Sequence, residues 1–150
     1  MKFPLHPSLR LLPLASMTKA QQIEVDKLPK RFGMNILRDR ELYLVVADSN
    51  KMPQAALWTG WNASRFTFDV VVNYPARHLG VAKHLVEQAI AQYNQDAEGY
   101  SNPLLVVTVI NQGMEFLLKD HFDFHVCRKT ERDIEMMGPT MNDGRVLLPC

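Results

Sequence analysis

The residues best placed to do chemistry lie between Phe66 and Lys83. The run Arg77-His78-Leu79-Gly80-Val81-Ala82-Lys83 carries a single glycine where a helix-period pattern begins. A loop entering a helix N-terminus presents backbone N–H groups with no intrahelical acceptor, at the positive end of the helix dipole. That combination binds anions, phosphate among them. Lys83 adds charge to a bound phosphate on one reading and is a solvated helix lysine on the other. Just upstream, Asp69 interrupts the run Phe66-Thr67-Phe68-Asp69-Val70-Val71-Val72. A carboxylate inside a valine run is costly unless it has a purpose there.

The elements that must position these residues are legible on both sides. Phe66–Val72 is short, β-branched and aromatic, and it closes on the turn Asn73-Tyr74-Pro75-Ala76, so it reads as a buried strand. Alternation puts Phe66, Phe68, Val70 and Val72 on one side and Asp69 on the other, unless a bulge shifts the phase. As plain structure, Asp69 is an edge carboxylate or a hydrogen-bonded turn residue. After the loop, Ala82, Leu85, Val86, Ala89, Ile90 and Tyr93 share one helix face. Lys83, His84, Glu87, Gln88 and Gln92 take the other.

Strand, Arg77-x-x-Gly80-x-Ala82 loop and amphipathic helix together resemble the acyl-CoA-binding core of the GNAT superfamily of N-acetyltransferases, whose loop is written Q/R-x-x-G-x-G/A. The resemblance covers roughly residues 41–148 and is most specific over 66–90 and 104–124. It implies an α/β (α+β) domain with a mixed, mostly antiparallel sheet flanked by helices on both faces. It further implies acyl transfer from acetyl-CoA, or another acyl-CoA, to a primary amine by direct attack. Backbone N–H groups of Arg77, His78, Leu79, Gly80, Val81, Ala82 and Lys83 would then hold the cofactor pyrophosphate. Val70 and Val72 would meet the pantetheine arm through their backbone, and Asn111 would border that arm. The family's base often lies on the strand before the loop, which makes Asp69 the candidate. Its position on the face opposite Val72 is a departure that a bulge would repair. The family's usual acid is a tyrosine on the second helix, where Leu117 and Leu118 stand here. A second resemblance, to toxin-activating lysine acyltransferases that use acyl carrier protein, rests on Pro4-Leu5-His6 and on Phe68-Asp69-Val70-Val71. It implies roles for His6 and Asp69. A third reading is a non-catalytic acyl-CoA-binding or regulatory domain of the same fold.

The rest of the chain supplies the frame. Residues 1–16 read as an extended first strand or a packed arm. Thr18 and Gln21 form a capping-box pattern for a helix ending near Leu28, because Pro29 removes a donor and restricts its predecessor. Glu41–Ala47 and Gln54–Trp61 read as a hairpin across Asp48–Pro53. Asn94–Pro103 reads as a polar loop. Leu104–Ile110 is apolar without alternation, which predicts a strand covered on both faces. Asn111 opens a second helix that leads to His121–Phe124. Phe124–Met137 alternates, Asp143-Gly144 is a hairpin dipeptide, and Arg145–Leu148 reads as a final strand.

Length and composition bound the function. The 150 residues suit one domain spanning 1–150, with 1–40 as a variable arm and substrate-side helices. A net charge of +1 leaves no electrostatic footprint for nucleic acid or an anionic membrane. Cys127 and Cys150 lack metal-ligand spacing, so a disulfide framework is not expected and a reducing cytoplasm fits. His78, His84, His121 and His125 form no metal set, and no nucleophile elbow or P-loop is present. The expected partner is an amine acceptor, small molecule or protein. A homodimer through the C-terminal strands is common in folds of this kind.

Overall fold

Thr18 and Gln21 close the capping box that their spacing predicts. The Gln21 N–H donates to Thr18 Oγ1 at 3.1 Å, and the Thr18 N–H donates to Gln21 Oε1 at 2.8 Å. They start α1 (Lys19–Arg31), which does not end before Pro29 as expected but carries it inside. Pro29 sits in the last turn, where its missing donor costs little more than one bond. The helix stops instead at Gly33, whose φ of +68° reverses the chain. The computed structural model describes residues 2–139.

Among the described residues there are seven strands and three α-helices. The strands are β1 (Arg10–Leu11), β2 (Glu41–Ala47), β3 (Pro53–Asn62), β4 (Arg65–Val72), β5 (Leu104–Val109), β6 (His125–Lys129) and β7 (Ile134–Met137). The remaining helices are α2 (Val81–Asp96) and α3 (Gln112–Phe122). The sheet is mixed and mostly antiparallel, as expected. β1 pairs β2, β2 pairs β3, and β5 and β6 both pair β7, all antiparallel; β4 and β5 run parallel.

The chain divides into two units. The first holds the chain up to Gly60 together with Phe68–Ala91. Its core gathers Val25 and Leu28 of α1 with Val45, Ala56, Trp58 and Val71 of the sheet. These residues come from a helix face and three strands, and water is excluded where they meet. The arm before β1 is ordered against α2. The backbone N–H groups of Lys2 and Phe3 donate to the Glu87 carboxylate, at 2.9 and 3.2 Å.

The second unit holds Trp61–Thr67 and the chain from Gln92 onward. Leu105, Val106 and Val107 are consecutive and all buried, so both faces of β5 are covered, as its lack of alternation predicts. α2 runs three residues into the predicted polar loop, to Asp96, because tertiary contacts hold its last turn. Trp61 Nε1 donates to the Asp96 carboxylate at 3.1 Å, and the buried Tyr93 hydroxyl donates to the Pro103 carbonyl at 2.9 Å. Trp61 also stacks on Tyr100, with ring centroids 3.8 Å apart, as a packing aromatic. The alternating stretch 124–137 is broken into a hairpin by Thr130, whose N–H donates to the Asp133 carbonyl at 2.9 Å. Cys127 on β6 is disulfide-bonded, against the expectation of free thiols; the other cysteine, Cys150, lies outside the described residues. So do the predicted Asp143-Gly144 turn and the strand Arg145–Leu148.

Candidate functional site

The site builds from the exit of β4 in the first unit. Asn73 secures that exit with three bonds. Its N–H donates to the Gln54 carbonyl at 2.7 Å, its Nδ2 to Gln54 Oε1 at 3.0 Å, and its Oδ1 accepts from Arg31 at 3.0 Å. A single turn of 3-10 helix, Tyr74–Ala76, follows. Arg77 then folds back. Its Nε donates to the Val72 carbonyl at 3.0 Å, and its guanidinium lies over the rings of Phe32 and Tyr74, at 4.5 and 4.4 Å. The Arg77 side chain thus clamps the loop to the strand instead of projecting toward a ligand.

The loop's backbone donors divide into bonded and available groups. The Arg77 N–H donates to the Tyr74 carbonyl at 3.1 Å and the Leu79 N–H to the Ala76 carbonyl at 3.2 Å, so both are engaged within the turn. Gly80 has φ +72°, a left-handed conformation that a side chain opposes, and a Cβ built there would meet nothing within 4 Å. Glycine stands at this position for its backbone freedom, since there is ample space for a side chain. The first bond of α2 runs from the His84 N–H to the Gly80 carbonyl at 3.3 Å. The N–H groups of Val81, Ala82 and Lys83 therefore have no helical acceptor. No acidic residue occupies the first turn, so the positive end of the dipole is not neutralised there. Further along the helix, Glu87 is bonded to the N-terminal arm. The buried His84 donates from Nδ1 to the Phe3 carbonyl at 2.9 Å. These two residues are arm anchors that the sequence pattern did not reveal.

Asp69 sits half-buried in mid-strand. Phe66, Phe68 and Val71 are buried while Asp69 and Val70 are both intermediate, so the burial alternation of β4 breaks at those two residues. Arg40 approaches from the loop before β2, with Nε 3.4 Å from Asp69 Oδ2. Burial pushes the Asp69 carboxyl above the usual carboxylate range; the Arg40 guanidinium opposes this rise and the Asp39 carboxylate adds to it. Arg40 was not picked out from sequence. The charged run Arg38-Asp39-Arg40 before a strand was the available signal.

Asn111 lies in the second unit, where its Oδ1 accepts from the Met114 N–H at 2.7 Å and caps α3. Near it a cavity of about 160 Å³ is lined by Ile110, Gln112 and the hairpin residues Thr130–Asp133. Ligand pockets run from roughly 300 Å³ upward, so this space is too small for a nucleotide cofactor. Of Leu117 and Leu118, the two places aligned with the resembling family's acid, Leu118 is fully buried. No group of histidines, cysteines and carboxylates suited to a metal occurs among the described residues. No described helix is long and apolar enough to cross a membrane.

No family model matches the sequence, and no curated protein matches it. Solved structures do match in fold. An acetyltransferase of the GNAT family from Staphylococcus aureus superimposes with a TM-score of 0.61 at 10% identity, covering 87% of this chain and 98% of that one. A GNAT-family acetyltransferase from Streptococcus pneumoniae gives 0.58 at 13% identity, covering 87% and 97%. The Campylobacter jejuni N-acetyltransferase PseH, solved with acetyl coenzyme A, gives 0.53 at 10% identity, covering 86% and 96%. The chain therefore has the GNAT fold.

Proposed function

We propose that this chain is an acyl-CoA-dependent N-acyltransferase, and that acetyl transfer from acetyl-CoA to a primary amine is the reaction it fits best. One observation carries the reading. A strand delivers its loop, through the left-handed Gly80, to a helix start whose first N–H groups have no helical acceptor and whose first turn holds no acid. Val81, Ala82 and Lys83, with His78 and Gly80 beside them, would hold the pyrophosphate by backbone N–H groups. The Lys83 ammonium would add charge. Arg77 and Leu79 would shape the loop, their N–H groups being engaged. Val70 and Val72 would meet the pantetheine arm through the backbone; the Val72 carbonyl is already bonded to Arg77.

Bound acyl-CoA supplies an activated thioester carbonyl. The chain's own work is to align that carbonyl with the amine and to take a proton. An amine attacks only as the neutral base, so a group must accept the proton it gives up. Asp69 would accept it, and a carboxyl whose pKa is raised by burial is a better base than an ordinary one. Leu117 and Leu118 stand where the resembling family carries its tyrosine acid, so the CoA thiolate would depart without that help. The acceptor is an amine of a small molecule or a protein.

No observation favours the carrier-protein alternative. His6 is exposed, and its Nδ1 lies 2.7 Å from Ser8 Oγ and accepts the Ser8 N–H at 3.1 Å, a local turn contact.

Thermal-shift titration with acetyl-CoA, longer acyl-CoAs and CoA tests the reading. At a hundredfold excess over Kd, a ligand of the native state adds about 2.7 kcal/mol. For a chain of this length that raises Tm by roughly 5–11 °C. A saturable rise is expected. No shift with any of these ligands would remove the cofactor assignment, and a shift without turnover across an amine panel would mark a binding domain of the same fold.

A further inference from the structure

We infer that Arg40 is a positioning residue for Asp69: anchored by backbone packing against β3, it holds the Asp69 carboxylate in place and keeps it ionised within a half-buried strand. The inference rests on the reading of Asp69 as the base and extends it to a second residue.

The anchor is Gly60. A Cβ at Gly60 would collide with the Asp39 carbonyl oxygen and lie 3.0 Å from its carbon and 3.3 Å from Arg40 Cα. The backbone of Asp39 and Arg40 therefore rests directly on β3, at a distance only glycine allows. The turn is closed locally by the Arg40 N–H, which donates to the Leu37 carbonyl at 3.1 Å. These contacts set where the Arg40 side chain begins. Its guanidinium then lies between two carboxylates. One end pairs with Asp39, and Nε faces Asp69 Oδ2 at 3.4 Å. The Arg40 side chain is 12% exposed and that of Asp69 19%. Charges so far out of water interact strongly, and arginine does not lose its proton.

The arrangement suits a base. The separation of 3.4 Å exceeds the roughly 2.7–2.9 Å of a full charge-assisted hydrogen bond, so the ion pair orients the carboxylate without binding it closely. The charged groups acting on Asp69 are Arg40 and Asp39, with opposite effects. Removing the Arg40 charge lets burial and Asp39 raise the Asp69 pKa. Removing the Asp39 charge lowers it.

The test is carboxyl-carbon NMR titration of the full chain labelled at aspartate, with the Asp69 signal identified by its absence in Asp69→Asn. Arg40→Met is expected to move the Asp69 titration upward, since the charge that opposes burial is gone. Asp39→Asn is expected to move it downward, and Arg40→Lys to move it less than Arg40→Met. A merely structural role would shift the melting temperature without producing two opposite changes in titration. If Arg40→Met does not fold, Asp39→Asn and Arg40→Lys carry the test. An unmoved Asp69 titration in Asp39→Asn, or a fall in Arg40→Met, overturns the inference. Acetyl-CoA turnover with an amine panel, followed by thiol release, separates this from the reading beneath it. Wild-type turnover in Asp69→Asn would remove the base assignment, whatever the NMR shows. Lost turnover there, with an acid limb of kcat/KM that does not follow the NMR shift in Arg40→Met, would overturn the positioning role alone.

Discussion

Replacing Gly80 by alanine isolates backbone conformation from every other property of the loop. No atom lies within 4 Å of where the new Cβ would sit, so there is no clash to relieve. What remains is the strain of an L-residue at φ +72°, about 1–2 kcal/mol. That strain has two outlets. If the loop keeps its shape in the free protein, Gly80→Ala loses 1–2 kcal/mol of stability, or roughly 2–8 °C in Tm, and CoA affinity is unchanged. If the free loop relaxes and must be restored on binding, Tm is preserved and affinity for CoA falls about 5- to 30-fold. Mixtures share the same total. Gly33 provides the control, with φ +68° and equally open space, but at the end of α1. Gly33→Ala therefore carries the same strain and is expected to lower Tm while leaving CoA affinity alone. Calorimetric titration with CoA and a melting curve of each variant are sufficient. If Gly80→Ala matches the wild type in both Tm and affinity, the left-handed turn is not what arms the helix start. If Gly33→Ala weakens CoA binding as much as Gly80→Ala, the loop assignment fails.

Gly60→Ala forces the Asp39 backbone off β3 and is expected to cost about 1–3 kcal/mol in a denaturant melt, an overpacking penalty. The variant should also disturb the Asp69 titration, since Arg40 moves with Asp39. Tyr93→Phe removes the donor to the buried Pro103 carbonyl and should lower stability by about 1–3 kcal/mol. CoA binding, measured by titration, should be unaffected. The Asp69 carboxyl has its pKa raised in the folded chain, so its ionisation works against folding. That cost is absent below the unfolded pKa and fully present above the folded one. Urea melts should therefore show the stability of Asp69→Asn relative to wild type rising with pH across that window. A difference that stays flat with pH would contradict the raised pKa.

The sequence by itself determined the local elements of this chain. The Thr18–Gln21 box, the β2–β3 hairpin, the β4 run and the two strand-to-helix units all depend on propensity, period and turn chemistry. Such properties are carried by neighbouring residues. The glycine at the start of α2 was legible for the same reason, because one residue type tolerates a left-handed turn. Tertiary structure decided what depends on distant partners. α1 runs past Pro29, and α2 runs to Asp96, because contacts elsewhere outweigh local signals for stopping. Local sequence marks Arg77 as the first residue of the loop motif; Phe32, from the end of α1, makes its side chain a clamp. Asp39 and Arg40 reach Asp69 only because Gly60, some twenty residues along the chain from them, leaves room for their backbone. A pKa set by burial, one guanidinium and a second carboxylate is a property of that meeting in space, and no single stretch of sequence contains it.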